Sequence, residues 1–482
     1  MLGLIAAIGA AAALLATYWD DSWHTDKGRD EFAIPPHLLL YGGVLLASLA
    51  VAAWGVRSWR SAGWGMDGLR AVLSRPALLL AGLGGGATLA SGPIDAAWHE
   101  AYGRDAVLWS PPHLAAVAGT LALSVGLLAG LRQTTGRGAG AARILAAAGV
   151  LGALQVPVLE YDSDVPQFST FWFLPVVALG MCVAAALLDD LLPRRSHLLA
   201  AGAVYTALRA VAVGFLALLG FSLTAVPPVL PLLLVVAALH ARPLALRLLV
   251  AGALAPLVWW PFLELQSAVT TVVPVAQLPG AVVLGGLAGL LVAVVHGDLR
   301  LSGPRAPLAA RAMAVVAVVI VVLAGSPPTA WAHDPGQGQE VREGELRVQR
   351  EGGSARVAML LPGRCDGLVA ESTVARRAGR TLRGDLSLRD TSGGCRLTGT
   401  VRGLGSGRWF VYAEARDGEG RPLEAWLPAS DDERAAEKRP LYLAATAEGG
   451  AGRTIAGTVL LSVVTLLLVA SLRLAKRSAA VT

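Results

Sequence analysis

With 482 residues, 55% of them hydrophobic and only 15% charged, this chain is far more apolar than a soluble domain, in which about 25% of residues carry charge. A mean hydropathy of +0.58 and only three cysteines, Cys182, Cys365 and Cys395, exclude a soluble enzyme, a disordered chain and a disulfide scaffold; what remains is a polytopic membrane protein whose first partner is the lipid bilayer. The net charge of +6 is read as topological, a matter of which loops face the cytoplasm, and implies no nucleic acid.

A helix needs about 20 mostly apolar residues to cross the hydrocarbon core. Such runs lie near 2–19, 36–56, 76–94, 112–131, 142–160, 166–188, 197–222, 226–241, 247–264, 276–296, 312–332 and 454–472. They predict an all-α polytopic fold of about twelve transmembrane helices. Arginines gather in every second connection: Arg57, Arg60, Arg70 and Arg75, then Arg132, Arg137 and Arg143, and later Arg194 with Arg195. The other connections are acidic or neutral. The positive-inside rule therefore places both termini in the cytoplasm.

Residues 333–452 break the pattern. Short alternating runs such as Gly344–Gln349, Ala355–Leu361, Leu382–Leu388, Arg396–Val401 and Trp409–Ala415 are separated by turn signals such as Gly352-Gly353 and Asp417-Gly418. This pattern predicts an extracytoplasmic β-sandwich of about seven strands. Cys365 and Cys395 both fall in it, so a disulfide is expected in an oxidising compartment, with a stabilisation of about 3 kcal/mol. The chain thus divides into 1–132, 133–332 with further spans, the outer domain 333–452, and a membrane anchor with cytoplasmic tail over 453–482.

Residues 1–132 contain a duplication. The first copy reads Asp20-x3-His24, with Trp23 before the histidine, then Gly28-Arg29-Asp30 and Pro35-Pro36-His37. The second reads Asp95-x3-His99, with Trp98 before the histidine, then Gly103-Arg104-Asp105 and Pro111-Pro112-His113. One extra residue precedes the second Pro-Pro-His, an insertion expected to displace His113 and weaken the second site. A third outer loop, Glu160 to Pro166, has acids but no histidine and is a degenerate copy at best. Residues four apart share a helix face, and proline suits a helix's first turn. Each hairpin can therefore gather one carboxylate and two imidazoles, a donor set that suits copper, zinc or non-haem iron. The alternative is that Asp–His contacts only lock the hairpins.

The motif Asp-x3-His-x12-His, with Trp before the first His, Arg-Asp within the loop and Tyr41-Gly42 after the last His, resembles the copper site in a transmembrane subunit of the membrane-bound methane and ammonia monooxygenases. The resemblance spans about 25 residues per copy and implies copper at Asp20, His24, His37 and at Asp95, His99, His113. It also implies other membrane subunits and an external electron donor, since no haem, flavin or iron–sulfur motif occurs. A different copper-binding chain of those three-chain enzymes has a mature domain beginning with histidine. Here Ala330-Trp331-Ala332 precedes His333, a signal-peptide-like cleavage pattern, and cleavage would make His333 a further copper ligand. An uncut helix is the other reading. Three functions follow: a monooxygenase-like oxidoreductase, a copper-handling protein that stores, senses or transfers the ion, or a metal-free membrane scaffold.

Among the remaining polar residues, Arg209 lies inside an apolar run with Glu264 as a candidate partner. His197, His240 and His296 sit at cytoplasmic helix ends and are read as structural.

Overall fold

The structure is a computed structural model, which describes residues 1–27, 33–102, 110–162, 170–192, 194–267, 270–296, 339–377, 380–443 and 450–479. The chain opens with the hairpin α1 (Leu2–Asp26) and α2 (Pro35–Ser61). A short α3 (Met66–Leu73) leads to a second hairpin, α4 (Pro76–Tyr102) and α5 (Pro111–Leu131). There follow α6 (Ala139–Gln155), the one-turn α7 (Leu159–Asp162), α8 (Phe173–Leu191), α9 (Arg195–Leu219), α10 (Val229–Ala238), α11 (Leu244–Leu265) and α12 (Leu278–His296). After the strands, α13 (Gly450–Ala479) closes the chain.

Among the described residues, ten helices are long and apolar enough to cross a membrane. Two of the twelve expected spans are missing from that set. The run 226–241 yields only the ten residues of α10, because Pro227 and Pro228 lack N–H groups and leave the stretch before it non-helical. The run 312–332 lies outside the described residues, as does His333.

In lipid, helices gain little from burying apolar side chains, so close van der Waals contact must hold them. The two hairpins achieve it in the same way. A Cβ on Gly43 would stand 2.7 Å from both Gly9 O and Ala13 N, and one on Gly119 would stand 2.8 Å from Gly84 O and 2.9 Å from Thr88 N. Only glycine allows these backbones to approach so closely. Gly9 and Gly84 occupy the same place in the duplicated motif, as do Gly43 and Gly119.

The first and last helices share one end of the bundle. Gly3 faces Leu131, and Arg132 donates to Ser478 O. At that end Lys476 Nζ donates to His296 O (2.7 Å), His296 Nε2 lies 2.8 Å from Asp190 Oδ2, and buried Arg247 forks onto Asp189 at 2.9 and 2.5 Å. This network ties α5, α8, α11, α12 and α13 together.

The opposite end carries the β-domain: β1 (Gln339–Glu351), β2 (Ser354–Leu361), β3 (Val369–Arg377), β4 (Arg380–Thr391), β5 (Gly394–Arg402), β6 (Trp409–Arg416), β7 (Pro422–Ala429) and β8 (Arg434–Leu443). It is not a seven-stranded sandwich but a closed antiparallel barrel in the order β1-β2-β5-β4-β3-β6-β7-β8. Closure comes from the 13-residue β1, which pairs with β2 on one side and β8 on the other and leaves no edge. Leu346, Val348, Met359, Leu397, Val411 and Leu427 fill its interior. Cys365 and Cys395 form a disulfide that ties the loop after β2 to β5.

Candidate metal centre

The last two turns of α1 divide their residues among three surroundings. Trp19 packs edge-on against Phe215 of α9, with centroids 5.2 Å apart, and Trp23 stacks on Phe221 at 5.5 Å. Tyr18 faces the bundle interior, its hydroxyl 3.3 Å from that of Tyr205, with the Arg209 guanidinium 3.9 Å above its ring. Arg209 also donates to Ala225 O, whereas Glu264 is exposed. Asp20 and His24, four apart, turn to the remaining side, towards α2.

There α2 begins at Pro35 after an extended Ile34, so His37 falls in the first turn. His37 is 8% exposed and its ring centroid lies 5.7 Å from that of Tyr41, one turn further on. Both imidazoles converge on one carboxylate oxygen. Asp20 Oδ1 is 3.2 Å from His37 Nε2 and 3.4 Å from His24 Nε2, and the two rings are 6.2 Å apart. One donor atom from each residue falls within 4.8 Å of the others.

The donor set and spacing fit a metal ion. Donors bound to one ion at about 2.0–2.1 Å stand roughly 3.3 Å apart at tetrahedral angles. All three side chains are largely withdrawn from solvent, with exposures of 20% for Asp20, 13% for His24 and 10% for His37. Without an ion the same contacts would serve as ion pairs, the arrangement a pure scaffold would adopt.

The second hairpin repeats the carboxylate–imidazole contact: Asp95 Oδ1 lies 3.4 Å from His113 Nε2. The extra residue has not carried His113 away: Pro111-Pro112 start α5 as Pro35-Pro36 start α2, with the histidine third in each helix. His99 lies on α4 four residues past Asp95, but its side chain is outside the described residues. Arg29-Asp30, Arg104-Asp105 and His333 also lie outside them.

Sequence reasoning missed Asp26 at the end of α1, and Arg408 and Arg439 of the barrel, which no motif marks. The structure brings all three together at the C-terminal end of α1, two residues beyond His24. Comparison with protein-family models, with curated proteins and with solved structures finds no match to this chain.

Proposed function

We propose that this chain is a multi-pass membrane protein that binds copper at Asp20, His24 and His37, with Asp95, His99 and His113 as a related second site. The observation that carries the reading is the convergence of two imidazoles from different helices on one carboxylate oxygen, at 3.2 and 3.4 Å, together with its partial repetition at Asp95 and His113. Two imidazoles and a carboxylate also suit zinc and non-haem iron; copper is the choice on the motif's resemblance to the membrane monooxygenases. His24 and His37 would bind as neutral nitrogen donors and Asp20 as the anionic donor. Copper so held supplies redox chemistry, and its electrons would come from a partner.

The end of the bundle with both termini carries Arg132, Lys476 and Arg477, and the positive-inside rule assigns it to the cytoplasm. The metal centre and barrel then face outside, where the Cys365–Cys395 disulfide is at home. A second reading, copper storage, sensing or transfer, draws support from the barrel's place beside the site.

The test is metal analysis of the detergent-purified protein after copper loading. Wild type should retain copper, and His24→Ala/His37→Ala should lose one equivalent. Should wild type hold none, or every histidine variant keep the full amount, the scaffold reading stands instead.

A further inference from the structure

We infer that the barrel is a positioning element for the first metal centre and acts through Asp26; the inference rests on the metal reading above. Asp26 is the last residue of α1, two beyond His24. Its Oδ2 accepts from Ser222 N at 2.6 Å, and its Oδ1 accepts from Ser222 Oγ at 2.5 Å and from Arg408 at 3.3 Å. Arg408 also donates to Ser222 Oγ at 2.6 Å. Arg439 of β8, itself buried against Trp426, donates to Asp26 O at 2.7 Å and to Lys27 O at 2.6 Å.

Helix α1, the segment after α9 and the barrel therefore meet at one residue. The last carbonyls of a helix have no partner within it, and the final turn frays unless something bonds them. Arg439 supplies that bond with a cation, the charge that suits a helix C-terminus. His24 sits in this final turn. Trp19 and Trp23 hold the same turn against Phe215 and Phe221, so barrel and α9 together fix where His24 stands relative to His37 on α2. Metal ligands tolerate errors of only about 0.2 Å, so a loosened turn costs affinity.

The duplication supplies an internal control. The residue of the second copy that corresponds to Asp26 is Ala101, which has no carboxylate and is exposed. The carboxylate of this joint thus has no counterpart at the matching position of the second copy.

The experiment uses the full chain in detergent with Cu(II) as probe. The first site is read in a His99→Ala/His113→Ala background and the second in a His24→Ala/His37→Ala background. Arg408→Gln/Arg439→Gln should weaken Cu(II) at the first site by roughly 10–100-fold and alter its electron paramagnetic resonance spectrum, with the second site unchanged. Arg408→Lys should restore part of the affinity. Arg416→Gln, which breaks the pair with Glu371 (2.9 Å) at the end of β6 remote from Arg408, should leave both sites as they are. Asp26→Asn takes the place of the arginine variant should that fail to fold. Unchanged affinity and spectrum at the first site would overturn the inference. So would equal losses at both sites or an equal loss in Arg416→Gln, since each marks a general weakening of the fold. Absence of Cu(II) from wild type is a different result: it removes the metal reading itself, and this inference with it.

Discussion

Asp95 Oδ1 stands 3.4 Å from His113 Nε2, close to the 3.2 Å between Asp20 and His37, although one more residue separates the second pair in sequence. The reason lies in the helices rather than in the loop. Each histidine follows a Pro-Pro pair that sets the phase of its helix, and each hairpin is registered by a glycine contact, Gly9 with Gly43 and Gly84 with Gly119. The carboxylate–imidazole contact therefore survives the inserted residue.

If His24 and His37 share one ion, they act as a unit. Either His24→Ala or His37→Ala alone should remove most copper from the first site, and the double variant should add little. Such non-additivity marks groups within one network. Titration of copper per protein for the two singles and the double decides it, and losses that simply add would point to independent roles. The first site should also bind more tightly than the second, because Ala101 offers no counterpart to the Asp26 joint.

Gly43→Ala should part α1 from α2. Its new methyl group would meet backbone atoms at 2.7 Å, which cannot rotate away, whereas at Gly42 nothing lies within 4 Å. Overpacking of this kind costs about 1–3 kcal/mol. Thermal unfolding in detergent should show a lowered midpoint and reduced copper content for Gly43→Ala, and neither for Gly42→Ala. Equal midpoints would show that the helices separate without cost.

Replacing both Cys365 and Cys395 by alanine should destabilise the barrel by about 3 kcal/mol. Both are buried and no charge is introduced, so the change reports mainly the lost cross-link. Limited proteolysis at rising denaturant, followed on fragments from the barrel, measures it. A barrel as resistant as wild type would show that strand closure alone sustains the fold.

A cysteine introduced at exposed Ser392, between β4 and β5, should react with an impermeant reagent in intact cells, and one at exposed Ser74, between α3 and α4, should not. Labelling at Ser74 but not at Ser392 would invert the orientation drawn from the arginines.

The apolar runs determined most of the spans, because hydrophobicity over about 20 residues is a local property. The gathering of Asp20, His24 and His37 was legible for the same reason: each residue's place depends on helix phase and the helix-starting prolines, both written locally. Strand positions such as Ala355–Leu361 and Arg396–Val401 likewise emerged from alternation and turn glycines. Whether those strands form two sheets or one closed sheet was not legible, since it depends on β1 finding β8 across roughly ninety residues of chain, a pairing that neither segment encodes alone. The proline-broken run before α10 reads as hydrophobic enough to span, and only backbone geometry shows how short its helix is. The Asp26 joint is the clearest case. Asp26, Ser222, Arg408 and Arg439 are ordinary polar residues far apart in sequence, and their roles come from the tertiary arrangement that seats the barrel on the end of α1.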